Sequence, residues 1–252
     1  MDPKSYLFKG TLVWTLTTNG YKYITLNLLR TIERAKVPWR LVVVCGDKES
    51  YRFFRNEGFA ALLYTEAKTT AEVGIARWGS PTFQRYNRMK LDILHQFAKH
   101  EQVQKCIYLD GDIVVYKDFL PDIETRLDQT PDTVFFQCDH KEKGSCKEKD
   151  PTGCQNCCTG FIAWSHGADN GIFEVNSRAS WQDIHDDQVW VNKALREGKV
   201  KYDTVPRELY PNGAYISSIG EFPDAFFLHF NHRVGNAKVA EIKRLGQWII
   251  PY

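Results

Sequence analysis

The sequence predicts an α/β protein: one domain with a mixed, mostly parallel central sheet flanked by helices. Three observations lead there. The first hundred residues alternate short β-branched runs with amphipathic stretches, the pattern of parallel strands joined by helices. The run Arg40–Cys45 is apolar almost throughout, as expected of a strand covered on both faces. No internal repeat, low-complexity tract or linker divides the 252 residues, a length that suits a single α/β domain.

Element by element, Gly10–Thr18 reads as the first strand. Tyr21–Arg34 reads as a helix, because Ile24, Leu28, Leu29 and Ile32 recur at helical spacing. Arg40–Cys45 is the second strand, closed by Gly46-Asp47. Glu49–Glu57 is a short helix ended by Gly58, and Ala61–Thr65 is a third strand. Thr82–Lys99 is a longer helix with Met89, Ile93 and Phe97 on one stripe. Lys105–Leu109 is a fourth strand that runs directly into Asp110-Gly111-Asp112. Beyond it, Thr133–Gln137, Thr159–Ser165, Lys201–Val205 and Ala225–Phe230 read as strands, and Asp187–Glu197 and Val239–Gln247 as helices. Asp139–Cys154 is polar and charged and reads as a loop or lid.

Composition excludes several classes. The 33 basic and 31 acidic residues nearly cancel, leaving +2, so a dedicated nucleic-acid binder is not expected. No stretch approaches the ~20 apolar residues of a membrane span, and the N-terminus lacks the apolar core of a signal peptide. With its Met start, the chain is therefore expected to be cytoplasmic, with no transmembrane segment.

The chemistry concentrates in Ile107-Tyr108-Leu109-Asp110-Gly111-Asp112-Ile113-Val114-Val115. Two carboxylates flank a glycine at the end of a buried strand, where ligands of open α/β sheets gather. Glycine lets the backbone turn and approach a ligand closely. Hard divalent cations take oxygen ligands and bridge substrate phosphates. A solvated Asp-Gly turn is the plain alternative, but an aromatic-Leu-Asp-Gly-Asp block followed by three β-branched residues is far more specific than a bare Asp-x-Asp.

This block resembles the DxD motif of GT-A glycosyltransferases, and its neighbours resemble the nucleotide-diphospho-sugar transferase group and glycosyltransferase family 8, from about Thr11 to Lys238. The resemblance implies a Rossmann-like GT-A domain over residues 1–252. Its nucleotide-binding part would span about 10–118 and its sugar and acceptor part about 119–252. It further implies transfer of a hexose or pentose from a nucleoside-diphosphate sugar, UDP above all, to a hydroxyl of a glycan or protein, with Mn²⁺ or Mg²⁺ and with retention of configuration.

Carried over by position, Thr15, Thr17 and Asn19 of the loop after the first strand would hold the nucleotide, with Gly46-Asp47 near the base. Arg85 would contact the donor from the long helix, with Lys90 as its alternate, since the two are not on one face. Thr159-Gly160 would lie along the sugar; here Cys158 replaces the family's usual Asn. Asp187 would bond sugar hydroxyls and Gln188 would lie near the anomeric carbon, with Asp186 as the alternate carboxylate. Asp at a helix start is also a good cap. The metal would be held by Asp110, Asp112 and His229, with Gly111 between them. His232 is the rival ligand, since His232-x-x-Gly235-x-x-Lys238 is also a family pattern, with Lys238 on the diphosphate.

Cys138, Cys146, Cys154, Cys157 and Cys158 crowd near His140. Cys154-x-x-Cys157 has the spacing of a structural Zn²⁺ site, while disulfides and free thiols are the other two readings. Beside an inverting rather than a retaining transfer, two rivals to the glycosyltransferase reading remain. A nucleotidyltransferase would show a Gly-rich basic loop after the first strand, which Thr15–Gly20 lacks. A nucleotide-sugar-binding module would use the cysteine loop for partner docking.

Overall fold

The computed structural model describes residues 2–64, 76–140, 154, 156–174, 185–219 and 221–251. Its strands are β1 (Thr11–Thr17), β2 (Leu41–Cys45), β3 (Ala61–Leu63), β4 (Lys105–Leu109), β5 (Ile113–Val115), β6 (Thr133–Cys138), β7 (Cys157–Ser165), β8 (Lys201–Thr204) and β9 (Phe227–His229). The helices among the described residues are α1 (Lys22–Ala35), α2 (Lys48–Asn56), α3 (Pro81–Ala98), α4 (Leu120–Gln129), α5 (Asp187–Arg196), α6 (Gly213–Ile219) and α7 (Asn236–Arg244). The expected strands and helices fall within a few residues of these bounds. Two helices go beyond the sequence reading. The α4 stripe Leu120, Ile123 and Leu127 has helical spacing; α6, at 7 residues, is too short to show a period.

Seven strands form one sheet in the order β3-β2-β1-β4-β7-β6-β8, and β5 pairs with β9 in a small second sheet. Within the large sheet only β7 runs against the others: β4 and β6 are both antiparallel to it, and the remaining neighbours are parallel. The carboxyl ends of β1, β2, β4 and β6 therefore meet at one edge, together with the start of β7. The strand order turns back between β1 and β4, the switch point where such sheets leave a crevice.

The central strands are apolar on both faces because both faces are covered. Successive side chains of a strand point to opposite sides. Leu12 and Trp14 thus join one core with Met89, Ile93 and Phe97 of α3 and Val191 and Leu195 of α5. Val13 joins another with Leu28, Leu29 and Ile32 of α1 and Phe54 of α2. A third cluster, of Val114, Leu228, Phe230, Ile216 and Ile242, packs α6 and α7 on the small sheet.

The α3 helix starts sharply. Ser80 caps it through its hydroxyl, which accepts from Phe83 N, and Pro81 supplies the preset φ of the first turn. Phe97 near its other end is buried edge-on to Trp14, with ring centroids 5.1 Å apart.

The cysteine segment lies largely outside the described residues, Cys146 among them. Cys138 is disulfide-bonded, and Cys154, Cys157 and Cys158 are buried thiols outside any disulfide. A sulfur in a disulfide is not a thiolate ligand, so nothing among the described residues supports the Zn²⁺ expectation. A disulfide also runs against the expected reducing compartment. Among the described residues no helix is long and apolar enough to cross a membrane.

Phe97→Ala is expected to cost about 3–5 kcal/mol in chemical denaturation at unchanged m-value. Val189→Ala, at a side chain 65% exposed on α5, should stay within about 0.5 kcal/mol. Equal effects would mean that α3 does not pack on the sheet as described.

Candidate active site

A cavity of about 390 Å³ opens at the sheet edge where the strand ends converge. Asp110 sits at the end of β4 and Asp112 just before β5, so the Asp-Gly-Asp turn hands the chain from the large sheet to the small one. Its glycine is needed for space rather than for a left-handed backbone: a Cβ on Gly111 would stand 2.5 Å from Thr25 Oγ1 and 3.3 Å from the Tyr21 ring. The antiparallel β5–β9 ladder pairs Ile113 with His229, which brings the imidazole beside the carboxylate one residue earlier. His229 Nε2 lies 3.3 Å from Asp112 Oδ1 and 3.5 Å from Asp110 Oδ2. His232 instead meets Ser217 Oγ, 3.1 Å from its Nε2.

The bulge between β6 and β7 completes this corner. Phe136 pairs with Ile162 but the next residue, Gln137, pairs with Cys158, so Thr159, Gly160 and Phe161 have no partner on β6. Freed on that side, this stretch presses toward β4, and Asp110 N donates to Gly160 O at 2.7 Å. A Cβ on Gly160 would lie 2.6 Å from both Asp110 Oδ2 and His229 Nε2. No residue with a side chain fits there.

Three of the carboxylates that line the cavity, Asp110, Asp112 and Asp187, are paired with lysines brought by two helices. Lys90 of α3 reaches Asp187 Oδ2 at 2.8 Å and Asp110 Oδ1 at 3.3 Å. Lys238 in the first turn of α7 bonds Asp112 Oδ2 and, at 2.8 Å, Tyr21 Oη. Burial alone would raise the carboxyl pKa values; Lys90, then His229, hold Asp110 down at about 2. Lys238, then His229, hold Asp112 well below the carboxylate range. Burial would discharge Lys90 and Lys238, but Asp110 and Asp187 raise the first and Asp112 raises the second, so both stay charged. Burial likewise works against a charged His229, and Asp112, Cys158 and Asp110 more than reverse it.

The Asp186–Gln188 segment divides its labour. Asp186 caps α5, its side chain accepting from Gln188 N and Val189 N. Asp187 is thereby free to turn inward, where its Oδ2 also accepts from Thr159 Oγ1 at 2.7 Å. Gln188 Nε2 donates to Asp139 Oδ2 and to Asn156 Oδ1, both at 3.0 Å.

Of the residues singled out from sequence, Thr17, Lys90, Asp110, Gly111, Asp112, Thr159, Gly160, Asp187, Gln188, Gly235 and Lys238 line the cavity, and buried His229 closes the cluster beneath it. Others, Thr15, Asn19, Arg85 and Asp47 among them, do not line it. Thr15 is wholly buried within β1. Asn19 donates its backbone N–H to Asp47 Oδ2 and accepts from Lys22 Nζ. Arg85 lays its guanidinium over the Tyr86 ring, 5.7 Å from the centroid. Lys90, five residues on, occupies the other face of the helix and takes the inward place. Asp47 is a joint instead of a cavity wall, capping α2 at Ser50 N while it holds Asn19.

Sequence reasoning missed Asp139, Gln137 and Asn231. Asp139 follows β6 at the same edge as Asp110, and its Oδ1 accepts from Asn231 Nδ2 at 2.9 Å. The rule that ligands gather at strand carboxyl ends flags Asp139; the two amides carry no local signal.

The triad Asp110, Asp112 and His229 can hold a metal ion, with ligand atoms all within 4.8 Å of one another. Its carboxylates suit a hard divalent cation, to which the imidazole would add one nitrogen. The buried His229 Nε2 has no hydrogen-bond partner; with a cation in place of its proton, its lone pair would join the two carboxylates as a third ligand.

Comparison with known proteins gives the family and the fold. Residues 38–242, well over half of the chain, match the nucleotide-diphospho-sugar transferase family. No curated protein matches the sequence. Among solved structures, the galactosyltransferase LgtC, determined with donor and acceptor sugar analogues, superposes with TM-score 0.55 at 12% identity, covering 94% of each chain. A glycosyltransferase involved in glycosylation of the major capsid of PBCV-1 gives 0.53 at 12%, covering 93% of this chain and 98% of that one. GlyE of Streptococcus pneumoniae gives 0.56 at 14%, covering 95% of this chain and 60% of that one. At these identities the likeness speaks for the fold. The chain belongs to the nucleotide-diphospho-sugar transferase family and is a glycosyltransferase of GT-A fold.

Proposed function

We propose that this enzyme transfers a hexose or pentose from a UDP-sugar to a hydroxyl acceptor, with retention of configuration and dependence on Mn²⁺ or Mg²⁺. The observation that carries the metal reading is the convergence of Asp110, Asp112 and the buried His229 Nε2, which makes no hydrogen bond, beneath the cavity. A divalent cation on these residues would neutralise the charge that builds on the diphosphate as the sugar–phosphate bond breaks.

The chain's own groups do the rest. Lys238 carries its charge beside the phosphates from the first turn of α7, whose N-terminal N–H groups favour anions. Gly235 opens that turn with φ 60° and ψ −136°, a conformation that suits glycine alone. Lys90 fixes Asp187, which keeps acceptor capacity for sugar hydroxyls. The Gln188 amide is held at the cavity wall by Asp139 and Asn156, and its closeness to the anomeric carbon follows from the family resemblance. Asp139 supports a second reading: a carboxylate in the cavity could take the acceptor proton in an inverting transfer. The anomeric configuration of the product, read by proton NMR coupling constants, separates the two.

A panel of nucleotide sugars, scored for hydrolysis and thermal protection, tests the reading. A UDP-sugar should raise Tm only with Mn²⁺ or Mg²⁺ present; silence across the panel would overturn it. Asp112→Asn should lower turnover by about 100-fold or more, the equivalent of about 3 kcal/mol of charge stabilisation. Turnover that kept its level and metal dependence would remove Asp112 from the metal shell. Gly160→Ala should weaken Mn²⁺ binding at least ~10-fold, on the order of 1.4 kcal/mol, because its methyl would push Asp110 and His229 apart. Titration followed by Mn²⁺ EPR reads that change directly.

A further inference from the structure

Gln137 is the last but one residue of β6, and its side chain is almost fully buried. It sits at the register break between β6 and β7, where a bulge re-aims side chains. Its amide makes two bonds. Gln137 Nε2 donates to the backbone carbonyl of Tyr210 at 2.9 Å, and Gln137 Oε1 lies 2.8 Å from His229 Nδ1. The first bond dictates the second. Turned the other way, the amide would set its oxygen against the Tyr210 carbonyl, acceptor against acceptor, in a dry site where an unmade bond costs about 1–3 kcal/mol. With Nε2 committed to Tyr210, Oε1 can only accept, so His229 Nδ1 must carry a proton.

We propose that Gln137 is a positioning residue for the metal: it fixes the ring and the Nδ1–H tautomer of His229, so that the Nε2 lone pair faces a cation between Asp110 and Asp112. This rests on the metal reading given above. The nitrogen of an imidazole that binds metal is set by the hydrogen bond the other nitrogen makes. Cys158 Sγ is the other atom near Nδ1, at 3.8 Å. It is a poor rival, because sulfur accepts weakly and already faces two donors, Asn231 Nδ2 at 3.4 Å and Gly160 N at 3.5 Å. The ring therefore turns on one strong bond. Tyr210, the far anchor, is itself held by its hydroxyl, which donates to Asp122 Oδ2 at 2.7 Å.

Two variants separate positioning from packing. Gln137→Met keeps the volume but has no strong acceptor. Gln137→Glu keeps an acceptor for Nδ1–H and loses the donor to Tyr210. Mn²⁺ affinity, measured by EPR on the full chain, should fall 10–100-fold in the Met variant, the usual cost of losing a ligand's outer partner. In the Glu variant it should stay within about 3-fold of wild type or tighten, even if Tm falls. Equal Mn²⁺ affinity for the Met variant and wild type would overturn the proposal, as would equal losses in both variants.

A measurement on the wild type needs no variant to fold. With ¹⁵N-histidine label and diamagnetic Mg²⁺, long-range ¹H–¹⁵N correlation should show His229 protonated at Nδ1 and bare at Nε2, the resonance being assigned by its loss in His229→Ala. A proton on Nε2 in the Mg²⁺-bound state would overturn the proposal. Failure of wild type to bind Mn²⁺ or Mg²⁺ at all would overturn the metal reading itself, a distinct result from binding that ignores Gln137.

Discussion

Everything at the candidate site hangs on the pairing of Asp110, Asp112 and Asp187 with Lys90, Lys238 and His229, all of them largely buried except the half-buried Asp110. A carboxylate taken out of water without compensation costs several kcal/mol, and breaking a buried pair on one side costs about 3–5 kcal/mol. The compensating cations come from α3, α7 and β9, far apart in sequence. The α3 helix cannot leave without stranding Asp110 and Asp187. The α7 helix cannot leave without stranding Asp112. Docking of these elements and assembly of the charge cluster are thus one event, and the catalytic end of the sheet is also a structural joint.

The same pairing bears on how a donor would enter under the proposed function. Lys238 and a divalent cation both need Asp112. A diphosphate bound with its cation supplies a negative partner for Lys238 at the moment the cation claims the carboxylate, so the charge count of the pocket is conserved. A cation alone offers no such exchange, so it should bind measurably but more weakly than it does together with a diphosphate. Lys90 is different in kind. It bridges two carboxylates and remains needed between them whatever occupies the cavity, which makes it a fixed cation and Lys238 an exchangeable one.

Close approach is the second constraint. The charge cluster requires the β7 backbone to pass within hydrogen-bond reach of the Asp110 amide while His229 lies against its other side. Only glycine at 160 permits that, and only the slip between β6 and β7 gives the strand freedom to bend there. Asn192 secures the bent strand from the α5 side. Its amide accepts from Cys157 N and donates to Cys157 O, both at 2.8 Å. The Asp-Gln-x-x-x-Asn spacing therefore has a mechanical meaning: the Asp faces the site while the Asn, more than a turn later, grips the strand that carries Thr159 and Gly160.

How much of this was legible beforehand follows from the range of the interactions. The β–α alternation up to Asp112 is written in local periodicity, and the elements fall close to where that periodicity sets them. Asp110, Asp112 and Asp187 sit beside strand or helix ends, so their placement was local too. The choice between Arg85 and Lys90 was not, because it depends on which face of α3 meets the sheet, and that is decided by Met89, Ile93 and Phe97 packing on Trp14 and its neighbours. The choice between His229 and His232 was less legible still. Spacing to Gly235 and Lys238 favours one register and the apolar strand before them the other. Neither pattern refers to the partner strand. Pairing of Ile113 with His229 is what brings His229 beside Asp110 and Asp112, a contact across more than a hundred residues. The Gln137 amide lies at the same limit: its partners are the Tyr210 carbonyl and the His229 ring, and no spacing rule joins the three.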